Sequence, residues 1–363
     1  MKTRLGVKIG LVACTLFTSA QLKAGSLEFN TLYRSAYFLG RGDTGVATAD
    51  GHEAIFYNPA GLALGTGIYK ETVLLSPSAD VSTRTKDLVR QALVEKKNDA
   101  STLEGYEGKN VHLGLNNFTG IVFRRFALGG LVSANTNLML GKDANANGLE
   151  TLHADAVANR VATLSAAEGF FDQTLLIGTT FKYILRNEAI LNVSAADANN
   201  IANKLNAGDV KQTRTGMGAD LGVMLRPKEW PVSLGLHIEN LGTTNLQADE
   251  TGVASKRLPQ IVTLGMAAEK NTKTSSLALL FDFRDALGAV ETNVFKRTHL
   301  GAEIRFGHFI GLTGGLNQGY PTVGFFTNLY VVRLDVGLMT EEVGSSSGIR
   351  PDQRVMFRLM AGF

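Results

Sequence analysis

The chain has 363 residues, 44% of them hydrophobic, with 36 Lys+Arg against 33 Asp+Glu. The small basic excess lies in the first residues, where Lys2, Arg4, Lys8 and Lys23 are matched by no acid, and without them the balance is 32 against 33, which gives no case for nucleic-acid binding. The single cysteine, Cys14, also lies there, so the rest of the chain has no disulfide, no thiolate nucleophile and no cysteine metal site.

Residues 1–24 have the layout of a secretory signal peptide: a basic start, an apolar run from Ile9 to Phe17, then small or polar residues up to Leu22-Lys23-Ala24-Gly25, with cleavage expected near Ala24. A rival reading takes "LVAC" (Leu11 to Cys14) as a lipoprotein cleavage box with Cys14 lipidated, but the apolar stretch before it is short for a leader core. The next unit, 25–66, is rich in Gly and Ala. Its "AIFYNPAGLAL" (Ala54 to Leu64) is almost wholly apolar, yet Asn58-Pro59-Ala60-Gly61 breaks any strand or long helix, because proline has no N–H and glycine leaves the backbone loose. Such a segment needs shelter from water without regular structure.

From residue 67 to 363 no run of about 18 apolar residues occurs, so no transmembrane helix is expected. Segments instead alternate with period two, the mark of strands. "THLGAEIRF" puts Leu300, Ala302, Ile304 and Phe306 on one side and His299, Gly301, Glu303 and Arg305 on the other. Fourteen strands are predicted, near Ile68–Leu75, Val111–Phe123, Phe126–Leu138, Val157–Gly169, Thr174–Leu185, Thr213–Leu225, Val232–Leu241, Leu258–Ala268, Ser275–Asp285, Phe295–Phe306, Phe309–Leu316, Thr322–Asn328, Tyr330–Met339 and Arg354–Phe363.

Links after even-numbered strands are short, whereas most of those after odd-numbered strands are long and include polar, helix-like stretches "DLVRQALVEKKND" and "ADANNIANKLN". The link at Gln318-Gly319 is the exception. This asymmetry is that of an outer-membrane barrel, with periplasmic turns at one rim and extracellular loops at the other. Alternation cannot by itself tell a soluble barrel from a membrane one, but fourteen strands closed into a ring enclose more space than their own side chains fill. The predicted fold is therefore an all-β transmembrane antiparallel barrel of about fourteen strands with an amino-terminal hatch in the lumen, placed in the outer membrane among its lipids. The last strand, "RVMFRLMAGF", carries an apolar ladder with Phe357, Leu359 and a terminal Phe363, and resembles the insertion signal read by the barrel-assembly machinery.

The stretch "GRGDTGVATADGHEAIFYNPAGLA" resembles the start of the FadL-type outer-membrane transporters for long-chain fatty acids and related hydrophobic compounds, and of the similar PorV-type barrels of secretion systems. "GTTFKYI", "GADLGVML", "IENLG", "FDFRDAL", "LGAEIRF" and "GGLNQGYPTVGF" extend the likeness along nearly the whole mature chain, and look closer to the PorV-like and plasmid-transfer TraF-like branches. The resemblance implies a fourteen-stranded barrel plugged by an amino-terminal hatch to which Asn-Pro-Ala belongs. It also implies a kinked third strand with a side opening. Fold transfers well in such a likeness and substrate poorly.

Four groups of residues are candidates. Asn58, Pro59 and Ala60 form either a hatch turn whose movement opens a path or a turn that packs a plug. Asp282, Arg284, Glu303, Arg305, Arg333 and Asp335, with Arg354 and Arg358, point to one side of neighbouring strands, where they pair across the ladder or leave an arginine to meet a substrate carboxylate. Gly129 and Gly130 weaken or bulge the third strand, or serve ordinary packing. Phe357, Leu359 and Phe363 are the insertion signal. "DANANG" (Asp143 to Gly148) copies half of an EF-hand loop, but Ala154 stands where the bidentate Glu belongs, so no metal is expected. No cofactor is expected either. His112, His237 and His299 fall on the lumen face of separate strands without any catalytic motif around them.

The first expected function is passive uptake of a hydrophobic small-molecule ligand such as a long-chain fatty acid. The second is an anchor for a secreted or conjugation-related partner, and the third an outer-membrane enzyme. An apolar pocket running from the loops to the hatch would favour the first; a filled lumen would favour the second.

Overall fold

The computed structural model describes residues 30–65, 67–85, 109–142, 150–194, 211–250, 252–307, 309–344 and 346–363. The leader with Cys14, the two polar helix-like stretches and DANANG lie outside the described residues. The strands are β1 (Tyr69–Ser82), β2 (Asn110–Phe123), β3 (Phe126–Lys142), β4 (Glu150–Phe170), β5 (Leu175–Ser194), β6 (Lys211–Leu225), β7 (Val232–Glu239), β8 (Thr244–Ala248), β9 (Lys256–Leu258), β10 (Ile261–Asn271), β11 (Ser275–Phe283), β12 (Thr298–Phe306), β13 (Ile310–Asn317), β14 (Tyr320–Leu329), β15 (Val332–Glu342) and β16 (Pro351–Gly362). Among the described residues, fourteen of them close into one antiparallel barrel, each pairing with its neighbour in the order β1 to β7 and then β10 to β16. The ring closes where β16 meets β1, with Val73 opposite Gly362 and the Phe363 carbonyl accepting from Thr72 N at 2.6 Å.

Several strand boundaries differ from the sequence expectation, each for a local reason. The strand expected from Leu258 starts at Ile261, because Pro259 interrupts the ladder; Leu258 instead ends the small β8–β9 hairpin, and β8 pairs with β6 (Arg214 opposite Ala248). The strand expected from Phe295 starts at Thr298, after a short helix α3 (Val294–Arg297) capped by Asn293 Oδ1, which accepts from Phe295 N at 2.9 Å. β1 runs on past Pro77 to Ser82, with its register shifting between Val73 and Ser76. Thr119 Oγ1 donates to the carbonyls of Val73 and Leu74 there, at 3.1 and 2.9 Å, so these two carbonyls of the bulge find a partner. Gln318-Gly319 is a two-residue hairpin with both residues at positive φ, the geometry that matches strand twist and shortens this one link.

The alternation decides what faces where. Val355, Phe357 and Leu359 stand outward, while Arg354 and Arg358, alternating with them, are fully buried. Leu113, Leu128, Val132, Phe181, Leu279, Leu312 and Val323 likewise point out. Phe171, Trp230, Phe309, Tyr330 and Phe363 form an exposed aromatic rim at the short-turn end. An apolar outside over a charged inside inverts the pattern of a water-soluble domain and is that of a membrane barrel. No described helix is long and apolar enough to cross a membrane.

Residues Asn30 to Leu64 lie inside the ring. They form α1 (Ala36–Gly40), α2 (Gly51–Tyr57) and a 3-10 turn (Pro59–Ala63). One side of this segment is apolar: Tyr33, Phe38, Ile55 and Leu62 pack with the inward-facing Phe118, Leu131, Leu176, Ile184 and Met224 of β2 to β6. Its other side, toward β7 and β10 to β16, mixes ion pairs and hydrogen bonds with smaller apolar contacts, Leu39 with Met339 and Met356 and Ala47 with Leu280. Non-strand backbone at this depth is tolerated because protein surrounds it.

Candidate functional site

Asn58 is fully buried and does two jobs at once. Its Oδ1 accepts from Ala60 N at 3.1 Å, capping the 3-10 turn that Pro59 opens, and its Nδ2 donates to the carbonyls of Val46 at 2.7 Å and of Val223 in β6 at 3.1 Å. The barrel wall leaves room for this turn. A Cβ on Gly222 would lie 2.1 Å from Asn58 Oδ1, and one on Gly178 2.4 Å from the Pro59 carbonyl oxygen, so only glycine lets the turn lie against β5 and β6. Asn58, Pro59 and Ala60 thus join the segment to the wall.

The lumen-facing charges are where the alternation places them, but their partners differ from the cross-ladder expectation. Asp335 of β15 and Arg358 of β16 do pair across the ladder, Oδ2 to Nε at 2.8 Å, and Arg333 Nε reaches the other oxygen of Asp335 at 2.9 Å. The others turn to the segment. Asp282 Oδ2 accepts from Gly45 N at 2.7 Å and Val46 N at 3.1 Å; Arg284 donates to Asp43 at 3.2 Å and Thr31 at 2.8 Å; Glu303 meets Arg41 at 2.9 Å, Tyr37, and Arg305 of its own strand at 2.6 Å. Arg358 also meets Glu53 and donates to Tyr33 at 3.1 Å, and Ser35 donates to the same Glu53 at 2.7 Å. Arg354 is spent on Asp352 at 2.8 Å. Burial pushes the Glu53 carboxyl up, but Arg358, His52 and the hydrogen bonds from Ser35 and Arg358 outweigh it and hold the group below its ordinary value.

The segment's half of this network, Tyr37, Arg41, Asp43 and Glu53, went unassigned in the sequence. Its signal was present in "GRGDTG" and in a glutamate beside a histidine, but nothing local tells which wall residues will meet them.

Gly129 and Gly130 leave the ladder intact. Gly129 stands opposite Gly120 and Thr163, and Gly130 opposite Thr119 and Ala162, in unbroken register on both flanks. A Cβ on Gly129 would come within 2.4 Å of the Phe118 ring, so its smallness admits that ring to the lumen, and a side opening here would need the strands to part. Phe357, Leu359 and Phe363 lie on the outer face. Of the histidines, His112 bonds Asp80 at 2.9 Å and Asn137 at 2.7 Å, while His237 and His299 line a cavity.

Two cavities flank the segment. The one toward the long loops, about 50 Å³, lies between Asp43, Val46 and Tyr57 of the segment and Lys182, Asp220, His237, Glu239, Asp282, Arg284 and His299 of the wall. The one toward the short turns, about 460 Å³, is lined by Tyr37, Phe38 and Arg41 of the segment and by Arg226, Glu269, Arg305 and Arg333 among others. Both are rich in charge, which is not the apolar pocket expected for a fatty-acid path.

A closed antiparallel ring with an apolar outer band, an aromatic rim and a charged, segment-filled lumen defines a β-barrel of the outer-membrane type. Its fold is that of the hydrocarbon channels. The toluene transporter TbuX of Ralstonia pickettii is similar over 92% of this chain and 99% of its own, with a TM-score of 0.51 at 13% identity. The monoaromatic hydrocarbon channel CymD is similar over 92% of this chain and 98% of its own, TM-score 0.53 at 12% identity. The deltaS2 mutant of the monoaromatic hydrocarbon channel TodX is similar over 92% and 99%, TM-score 0.50 at 13% identity. At such identities the likeness is one of fold. No family model matches the chain, and no curated protein matches it in sequence.

Proposed function

We propose that the protein resides in the outer membrane and admits small, largely hydrophobic molecules by diffusion, with the amino-terminal segment as a hatch between the two cavities. The observation that carries this reading is the segment itself: it lies inside a barrel of hydrocarbon-channel fold, separates a loop-side cavity from a turn-side one, and is held by hydrogen bonds and ion pairs on one side as well as by apolar packing on the other. The names of the similar channels favour aromatic hydrocarbons over long-chain fatty acids as the starting class of ligand. Outer-membrane lipids would surround the exposed apolar band, and the barrel-assembly machinery would insert the chain by its last strand.

The test is uptake of labelled toluene and of a labelled long-chain fatty acid by intact cells that lack their own hydrocarbon channels. Cells carrying the protein should take up one or both faster than cells without it, and unchanged uptake of both sinks the reading.

A second reading, a non-transporting anchor for a secretion or conjugation partner of the PorV or TraF kind, draws on one specific observation. Several charged groups of the lumen, Asp282, Glu303 and Arg358, are engaged in fixing the segment to β11, β12 and β16. No uptake, together with a defined secreted protein bound at the loop rim, would favour it.

A further inference from the structure

Over much of its length the segment meets the wall backbone against backbone. Gly178 and Gly222 stand directly opposite each other, and three more opposed glycine pairs lie beneath the segment: Gly235 with Gly265, Gly301 with Gly315, and Gly324 with Gly337. A Cβ on Gly235 would lie 2.4 Å from the Val46 carbonyl oxygen, one on Gly301 2.4 Å from that of Arg41, and one on Gly324 2.9 Å from Gly40 Cα. Hydrogen bonds follow the same line. Thr322 Oγ1 donates to the Gly40 carbonyl at 3.2 Å and accepts from Gly42 N at 3.0 Å, and Ser233 Oγ donates to the Ala47 carbonyl at 3.2 Å. Opening this seam means moving backbone and losing many such contacts at once.

The two cavities share no lining residue, and along one line a single pair of rings stands between them. Phe38, on α1, lines the turn-side cavity, and Tyr57, the last residue of α2, lines the loop-side one. They touch edge to face, with centroids 4.4 Å apart and planes at 81°, and among the described residues theirs is the aromatic contact that joins one cavity lining to the other. Gly45 is the foot of both rings: a Cβ there would lie 2.7 Å from Phe38 Cε2 and 2.9 Å from Tyr57 Cδ1. Tyr57 is tethered, its hydroxyl donating to Asp43 at 2.7 Å and accepting from Ser35 N at 3.2 Å. Phe38 carries no polar group, and its ring rests against Tyr37 at 5.0 Å and under the Arg41 guanidinium at 4.3 Å. It also borders the larger space, about 460 Å³ against about 50 Å³ beyond Tyr57.

We infer that Phe38 is the gate of this hatch: its ring swings toward the turn-side cavity while the segment backbone stays on the wall, and the tethered Tyr57 is the stop against which it closes. The inference rests on the hatch reading above and names the moving part. A turn about the side-chain bonds of Phe38 gives up dispersion and cation–π contact but no hydrogen bond, whereas lifting the segment breaks the seam, so the ring is the easier element to move. The vacated place leads on. Gly45 has no side chain to fill it, and its neighbour Val46 already lines the loop-side cavity. Asp282 holds the N–H groups of both Gly45 and Val46, which keeps this floor in position while the ring moves.

The experiment records single-channel conductance in planar bilayers for proteins that show the heat-dependent gel mobility of a folded barrel. Phe38→Ala should conduct severalfold better than wild type, whereas Phe56→Ala, which removes an equal ring from the lining of the loop-side cavity alone, should not. Phe38→Cys should conduct like Phe38→Ala until its thiolate displaces methanesulfinate from benzyl methanethiosulfonate. The benzyl disulfide so formed puts a ring back and should return conductance to the wild-type level, while the methyl disulfide left by methyl methanethiosulfonate should not; mass spectrometry verifies each label at position 38. If Phe38→Ala fails to fold, Gly45→Ala decides, because its Cβ enters the space of both rings and should raise conductance as well. Wild-type conductance in the folded variant, an equal rise in Phe56→Ala, or a Phe38→Cys channel that stays open with the benzyl label in place overturns the inference, the last because the segment would then have left the wall. Absence of cellular uptake with this gating intact removes the transport reading and leaves the gate; uptake with conductance indifferent to Phe38 does the reverse.

Discussion

Arg358 of the last strand and Glu53 of the amino-terminal segment, 305 residues apart in sequence, form a buried ion pair inside the barrel. Arg358 holds Asp335 of the neighbouring strand at 2.8 Å with the same guanidinium. One side chain therefore ties the segment to the wall and the wall to itself. Replacing it with methionine leaves the buried Glu53 without its arginine and Asp335 with Arg333 alone, a loss of about 3–5 kcal/mol from the segment's attachment. The barrel should still show heat-dependent gel mobility, while limited trypsin digestion at Arg34 and Arg41 becomes faster than in the wild type. Unchanged digestion would show that the segment is held elsewhere.

The same pair sets a pH dependence. Glu53 is held below its ordinary value in the folded protein, so it contributes stability that is present above the unfolded carboxyl value of about 4.3 and is lost as pH falls through the lower folded one. Protease sensitivity of the segment should accordingly rise on acidification below about pH 4 and stay flat above it. In Glu53→Gln that acid-dependent step should shrink, with faster digestion already at neutral pH.

Gly222 separates wall from segment by space alone. A valine there places a Cβ 2.1 Å from Asn58 Oδ1 as the structure stands, so the Asn-Pro turn must move. Gly222→Val should raise single-channel conductance in planar bilayers, whereas Gly130→Ala, whose Cβ would meet nothing closer than 3.9 Å, should behave as wild type. Equal conductance in both variants would mean that the turn blocks nothing.

Phe363 completes the closing seam, exchanging backbone hydrogen bonds with Thr72 at 2.6 and 3.0 Å and accepting one from Tyr69 as well. Deleting it removes both the aromatic end and these seam bonds, so the heat-modifiable fraction recovered from outer membranes should fall severalfold. Phe363→Ala, which keeps the backbone bonds, separates the two contributions: a loss as large as in the deletion assigns the effect to the ring.

Much of the barrel was legible because its cause is local. A strand with one face in lipid and one in the lumen alternates residue by residue, and links of one to six residues punctuate it. Pro259 and the Asn293 cap, which moved two boundaries, were also local signals, but each overrode an apolar run that continued through it. The β8–β9 hairpin has strands of five and three residues, too short for periodicity to stand out. The wall half of the site, Asp282 to Asp335, could be placed by the same alternation, since a charge flanked by apolar neighbours on a membrane strand points inward.

The amino-acid sequence by itself determined the strand pattern, the inward direction of the charges and the need of "AIFYNPAGLAL" for shelter, because each follows from neighbours a few residues away. The tertiary structure alone decided that Glu53 meets Arg358, that Asn58 sits over Gly222, and that Asp282 receives the Gly45 and Val46 N–H groups. Those relations join residues up to about three hundred positions apart, and nothing in local periodicity encodes which groups share a lumen depth once the ring has closed.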